Sequence, residues 1–554
     1  MVATIVVPLL ITATHLLITV GDDYYPTLDW ALLELHTTDV SKHLVTVGPH
    51  SRFGWNHPGP LLYYLLYVPY KIFGSSSIGL HVSAALINAA AVVGCGLVAF
   101  RRGGLVVAVA VLVPLGLMVR SLGPSGISDP WNPHLPVISF LLLLLLAWSV
   151  TAGDLWLAPI AAALASFTIQ SHAGMLPLTA VLAVIACGVV CGRGLRVAPL
   201  DRRAYWKKVA AVSTASAAVV AVLWLPVIYG TFVVRDGNLG NLFRFFTSDQ
   251  TNPSLMTALD VLGLQWGPLP EWIFGERGTG IGGGLLLGPQ WWVAVGALCA
   301  GVATTVVIRK RDWDTIWFAV LLIAGTAVSL YAITGVVVPI YPYLVRWTWV
   351  LGAGLGVLVL LAAWAALPER ALAIRPVAVV ALIALALLGA ATTVDAFGSG
   401  VPSKKQQTIE KAIAESVLAA LPPETKVVLV EDAGGSIAIP GLVSQLARHG
   451  IDADVSPFFP IMYGSNRRPN AGPYRTILRV FAFDGIEAHE SEGKRVGGWS
   501  TPRTPAENRI LDFIIADLQR KPSSPDRDER LRKFLQLSAG LGEGYEVYLI
   551  ERVK

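Results

Sequence analysis

The sequence predicts a polytopic α-helical membrane protein that carries an α/β domain at its C-terminal end. Three observations predict it. Hydrophobic residues make up 54% of the 554 residues and charged residues only 14%, against about a quarter charged in soluble globular chains. Mean hydropathy is +0.60, and apolar runs recur that approach or exceed the roughly 18 residues needed to cross a bilayer. Beyond residue 396 the pattern breaks, with more charge and proline and much shorter apolar runs.

Window length and charge breaks give about eleven spanning helices, near residues 2–20, 77–100, 104–120, 135–151, 155–170, 174–192, 209–230, 287–308, 315–335, 344–366 and 376–394. The first run has no basic start and no small-residue cleavage site behind it, so it reads as a retained helix rather than a signal peptide. In the expected C-terminal domain, 396–554, residues 426–430, 476–483 and 546–550 read as strands, and 435–450 and 506–520 as helices. That alternation indicates a small α/β domain. Cys95, Cys187, Cys191 and Cys299 all lie in apolar runs, which argues against a disulfide framework or a zinc site. The net charge of +5 comes from short basic clusters between apolar runs, a pattern that does not indicate nucleic-acid binding.

Those clusters set the orientation. Arg101–Arg102 and residues 193–208, 309–311 and 370–375 all fall on one side of the expected helices. Short basic loops stay in the cytoplasm, and a charge at the bilayer centre costs about 2.5–3.5 kcal/mol. The expectation is a multi-pass protein of the cytoplasmic membrane, surrounded by membrane lipids. Its outer face then receives residues 1–395's polar loops 21–76, 121–134 and 231–286, the turns 170–174 and 336–343, and the C-terminal domain. Within the first loop, 60–73 is apolar but too short to span and holds Pro69 and Lys71, so it is placed as an interfacial helix.

The candidate site residues come from these outer loops. Asp22 and Asp23 directly follow the first helix; adjacent carboxylates there are solvated, paired or used. The same loop ends Gly54-Trp55-Asn56-His57-Pro58-Gly59-Pro60-Leu61-Leu62-Tyr63-Tyr64. The second holds Ser128-Asp129-Pro130-Trp131-Asn132-Pro133-His134; Asp129 is either a second site acid or a helix N-cap. His172 lies in Gln170-Ser171-His172-Ala173-Gly174, and Arg346 follows Tyr341-Pro342-Tyr343. Arg346 either clamps a phosphate or snorkels to headgroups. The loop 231–286 carries Arg235, Asp236, Arg244, Asp249, Glu276 and Arg277 and a glycine run, 278–284, that follows no strand and so is no nucleotide fingerprint. In the C-terminal domain, Glu431-Asp432 and residues 463–468 stand out, without metal-ligand spacing.

An acidic pair after the first helix, then a polar stretch, a basic residue with prolines, Leu-Leu-Tyr and Phe73-Gly74 resembles the first periplasmic loop of the GT-C glycosyltransferases. The nearest likenesses are the lipid A aminoarabinose transferase and protein O-mannosyltransferase types. The resemblance covers about the first 200 residues; the chain departs from the usual Lys-Pro-Pro by having His57-Pro58-Gly59-Pro60. It implies a GT-C fold and transfer of a sugar, with inversion, from a polyprenyl-phosphate donor to a cell-envelope glycan, lipid or protein. Its first-loop carboxylate, the general base, falls on Asp22 or Asp23, with Asp22 preferred; Asp129 matches the second acid. His57, His172, Tyr343 and Arg346 are the candidates for holding the donor. The chemistry is coherent: a hydroxyl needs its proton removed as it attacks, and a leaving phosphate needs positive charge. No cofactor is required, and a metal is not compulsory for a monophosphate leaving group. A lipid or polysaccharide transporter and a non-catalytic membrane scaffold are the competing classes.

Overall fold

The computed structural model describes the chain apart from residues 249, 279–283, 290, 369–372, 403, 434–437, 457–459, 470–473, 484–492, 501–508, 510–515, 517–543 and 552–554. The expected helix 506–520, Asp249 and most of the glycine run lie outside the described residues.

The apolar runs form the bundle. In chain order the helices are α1 (Val2–Thr19), α2 (Leu28–Asp39), α3 (Leu61–Ile72), α4 (Ile78–Ile127), α5 (Pro136–Thr151), α6 (Ala158–Ser171), α7 (Leu176–Arg196), α8 (Pro199–Tyr229), α9 (Asn238–Thr247), α10 (Leu255–Trp266), α11 (Glu271–Phe274), α12 (Trp292–Arg309), α13 (Trp313–Thr334), α14 (Trp349–Ala366), α15 (Ile374–Ala396), α16 (Lys404–Ala420) and α17 (Ile439–Arg448). Among the described residues, eight helices are long and apolar enough to cross a membrane, and two shorter ones, Pro136–Thr151 and Leu155–Ser171, are also apolar. α4 breaks into two legs at Gly103–Gly104, where Gly104 takes φ +59°, a conformation glycine adopts at no steric cost. Each of the eleven expected segments falls on an apolar helix or on one leg of α4.

α5 is buried on every side, and its leucines join Phe318, Val357 and Trp148 in the largest apolar cluster. At one end of the bundle, Arg102 bridges Asp154 at 3.7 Å and Asp314 at 2.5 Å, while Arg193 donates to the Ala152 carbonyl. Those contacts bring the loops at Arg102, Asp154, Arg193 and Asp314 together at one end of the bundle.

The first loop holds more structure than the sequence reading gave it. The segment expected to lie at the interface forms α3, with Leu62, Tyr63, Leu66 and Tyr70 buried and Leu65, Val68 and Ile72 exposed, an apolar stripe at helical spacing. α2 was not anticipated. A two-stranded hairpin, β1 (His50–Ser51) with β2 (Trp55–Asn56), stands between them. Its turn needs Gly54 at φ +77°, where its N–H meets the Ser51 carbonyl at 3.1 Å.

At the C-terminal end, β3 (Val427–Ala433), β4 (Asp452–Ser456), β5 (Thr476–Phe483), β6 (Lys494–Ser500) and β7 (Gly544–Glu551) form one sheet in the order β4-β3-β5-β7-β6. β3 runs parallel to β4 and β5, and β7 antiparallel to β5 and β6. β4 and β6 are additional to the three expected strands. α17, Ile439–Arg448, falls within the helix read over 435–450, of which 435–437 lie outside the described residues. α17 packs against α2, and Leu32 and Leu35 of α2 enter the apolar core of the sheet region.

Candidate active site

Where the first loop, the second loop and the sheet region meet, they enclose a cavity of about 370 Å³. Its bundle side carries Asp29, His50, Arg52, His57, Trp131 and His172, and its sheet side Asp432, Ser456 and Tyr463 among others.

Asp29 occupies the first turn of α2, where the helix dipole favours a negative charge. The residue before it, Leu28, takes φ +47°, so the chain turns sharply into the helix and its carboxylate is presented to the cavity. The Trp131 indole donates to Asp29 Oδ2 at 3.0 Å. Burial raises the Asp29 pKa above the ordinary carboxylate value, and the Trp131 hydrogen bond pulls it partly back.

Arg52 leaves the tip of the β1–β2 hairpin with its guanidinium 4.8 Å from the Phe53 ring centroid and 4.5 Å from that of Tyr341. It is the one lysine or arginine among the described residues that line the cavity, and among the described residues its contacts are these rings rather than a carboxylate. The hairpin is fixed from behind. Asn238, at the start of α9, accepts from the Asn56 backbone N–H at 2.8 Å and donates to the Asn56 carbonyl at 2.9 Å.

His57 lines the cavity. Its Nδ1 accepts from the Ala173 backbone N–H at 3.0 Å, and its ring stacks on His172 at 5.1 Å. Burial holds His57 well below the usual histidine pKa, helped by repulsion from His172 and His50. Burial also lowers His172 and His50, each to about 4. These rings are therefore neutral at physiological pH. The Nδ1 acceptance leaves the His57 proton on Nε2, so His57 offers a hydrogen bond and no charge. Gly59 behind it packs so closely on Gln170 that a Cβ would lie 2.3 Å from Gln170 Oε1. The His57-Pro58-Gly59-Pro60 run thus carries a tight backbone crossing.

Tyr343 lines the cavity beside Trp131, ring centroids 4.7 Å apart, and stacks on Tyr341. Asp129 does not line it. This buried carboxylate accepts from Trp30 Nε1 at 2.8 Å, from His134 Nδ1 at 2.7 Å and from the Trp131 backbone N–H at 3.0 Å. Burial would raise its pKa, but the His134 contact and the other donors outweigh it, and Asp129 stays below the ordinary value. Asp129 therefore shapes the indole pair, Trp30 and Trp131, that supports Asp29. It is also not a simple N-cap, since its acceptances serve side chains and a turn.

Two expectations land elsewhere. Asp22 and Asp23 sit on an exposed 3-10 turn, Gly21–Asp23, and neither lines the cavity. Asp23 pairs with Lys411 of α16 at 3.0 Å. Arg346 does not line the cavity; it is paired with Glu276 and held 4.5 Å from the Trp349 ring. Reasoning from sequence missed Asp29 and Arg52. The signal for Asp29 was Thr27 followed by an acidic residue and a leucine-rich period, a helix start. For Arg52 only its place in a glycine-closed aromatic turn was available.

The helical bundle with its short extra helices and terminal sheet forms a polytopic membrane-protein fold. In particular it shares the fold of ArnT. The structure of ArnT from Cupriavidus metallidurans bound to undecaprenyl phosphate matches with TM-score 0.52 and 14% identity over 91% of this chain and 96% of that one. The apo structure of the same protein matches with TM-score 0.50 and 14% identity over 86% and 92%. No family model and no curated protein matches the sequence.

Proposed function

We propose that the protein is an inverting membrane glycosyltransferase that moves a sugar from a polyprenyl-phosphate donor to a hydroxyl of a cell-envelope glycan, lipid or protein. One observation carries the reading. On the fold of ArnT, which has been solved with undecaprenyl phosphate bound, a carboxylate and a guanidinium that pairs with no carboxylate among the described residues, Asp29 and Arg52, face one aromatic-walled cavity. The base is accordingly Asp29 rather than Asp22 or Asp23.

Asp29 takes the proton of the acceptor hydroxyl as that oxygen attacks the anomeric carbon. The new C1–O bond forms on the face opposite the breaking one, and the electron pair of the old bond leaves on the polyprenyl phosphate. Arg52 supplies positive charge where that negative charge grows, in a geometry that suits two phosphate oxygens. His57 adds a neutral Nε2–H donor. The rings of Trp55, Trp131 and Tyr343 offer faces for the sugar. The basic clusters at the opposite end of the bundle support a site on the outer face of the cytoplasmic membrane.

The test uses purified full-length protein, a panel of polyprenyl-phosphate sugars, and release of polyprenyl phosphate as readout. Asp29→Asn should lose release and keep binding of undecaprenyl phosphate. Undiminished release in that variant would sink the reading. Flux of intact donor across vesicles with no covalent product would favour a transporter instead.

A further inference from the structure

α2 has a polar group in use at both ends. Its first turn presents Asp29 to the cavity. Its last residue, Asp39, is fully buried and accepts from both terminal nitrogens of Arg467, with Nη2 at 2.6 Å from Oδ1. Arg467 is itself only 6% exposed and sits in the turn Ser465–Arg467 between β4 and β5. It also donates to the Tyr463 carbonyl at 3.3 Å, and Tyr463 and Met462 are cavity wall. One turn back on α2, His36 Nε2 meets the Met462 carbonyl at 2.8 Å. Between the ends, Glu34 accepts from Tyr70 of α3 and Ser77 beside α4, and lies 3.7 Å from Arg448 of α17. With a rise of about 1.5 Å per residue, α2 is a rod of roughly 15 Å from Asp29 to Asp39.

A buried ion pair of this kind adds little net stability, because desolvating both charges offsets their attraction. What a two-pronged Arg–carboxylate contact does supply is a fixed geometry. We infer that Arg467 is a positioning residue: by gripping Asp39 it makes the C-terminal region seat α2, and so sets where Asp29 stands in the cavity. This rests on the reading of Asp29 as the base. The sheet region is then a working half of the site. Arg467 touches neither donor nor acceptor and acts through the rod.

The experiment compares full-length wild type, Arg467→Ala, Arg467→Lys, and the paired variant Asp39→Asn/Arg467→Gln, which leaves no buried charge alone. Asp452→Ala is the control, since it removes an exposed pair with Lys42 at the same junction. Two readouts are taken on each: amide hydrogen exchange along 28–39, and donor turnover with undecaprenyl phosphate binding alongside. Arg467→Ala and the paired variant should speed exchange along all of α2 back to Asp29. Their kcat should fall about tenfold or more while undecaprenyl phosphate binds within about twofold of wild type. Arg467→Lys, with a point charge in place of a fork, should fall between, and the control should match wild type. Faster exchange confined to 463–468, or a kcat as in wild type, would overturn the inference. Loosened α2 in a protein whose Asp29→Asn variant still turns over would instead retire the base assignment and leave the seating of α2 standing.

Discussion

The turn Gly21–Asp23 and the first turn of α2 lie within ten residues of each other after the first helix, and both are acidic. Their surroundings are opposite. Asp22 and Asp23 stand in water, one of them on Lys411. Asp29 is aimed into an aromatic cavity, touched by an indole N–H, and pushed up in pKa by burial. The difference teaches that a carboxylate's use depends on what surrounds it, since burial and neighbours tune it for proton transfer. The bend at Leu28 separates the two regions.

The sharpest way to break this comparison is to neutralise each acid alone. Asp29→Asn should lower kcat/KM by about 10²–10⁴, the scale of a positioned base. Asp22→Asn and Asp23→Asn should stay within about twofold, because an exposed pair contributes little. A measurement of sugar transfer for the three variants side by side decides it. A large loss at Asp22 with none at Asp29 would reverse the assignment.

The two arginines repeat the contrast. Arg52 is held by rings and faces the cavity, whereas Arg346 is engaged by Glu276 and Trp349. Arg52→Ala should weaken undecaprenyl phosphate binding by about 10- to 100-fold, the loss of charge-assisted hydrogen bonds worth about 1.5–3 kcal/mol. Arg346→Ala should leave that affinity nearly unchanged and lower the thermal unfolding temperature, because it strips Glu276 of its partner. Binding titrations and thermal scans on both variants separate a ligand contact from a structural one.

What was legible in the sequence follows the same line. The bundle was readable because a bilayer demands long apolar runs and gathers arginines at one end. α3 was readable from Pro60, Pro69 and an apolar stripe too short to span. His57, His172 and Tyr343 were readable because polar side chains stand out between apolar runs, and all three line the cavity. Asp29 was hidden inside Leu28-Asp29-Trp30-Ala31-Leu32-Leu33 while the louder Asp22-Asp23 pair came first. α2 itself was hidden for a deeper reason. Its buried Asp39 is answered by Arg467 and its His36 by Met462, more than four hundred residues away. A pairing at that separation leaves no local pattern. Asp129 was expected as a second site acid or a helix cap, but it does not line the cavity, and its partners, Trp30 and His134, are set by the folded loops.

The finest distinction concerns the indole between the two acids. Trp131 donates its backbone N–H to Asp129's carboxylate and its indole N–H to Asp29. That N–H stabilises the ionised form of Asp29 and partly offsets the upward push of burial. A general base acts when ionised, so transfer should rise with pH through the Asp29 pKa and level off above it. Trp131→Phe keeps the ring and deletes the donor. The Asp29 pKa then climbs further, and the acidic limb of kcat/KM moves to higher pH. The plateau rate changes little, because the base is fully ionised there in both proteins. Asp129→Asn should move the limb in the same direction and less far, since it loosens the indole without removing it. An acidic limb that stays in place in Trp131→Phe would separate Trp131 from the base and return its role to packing against Tyr343.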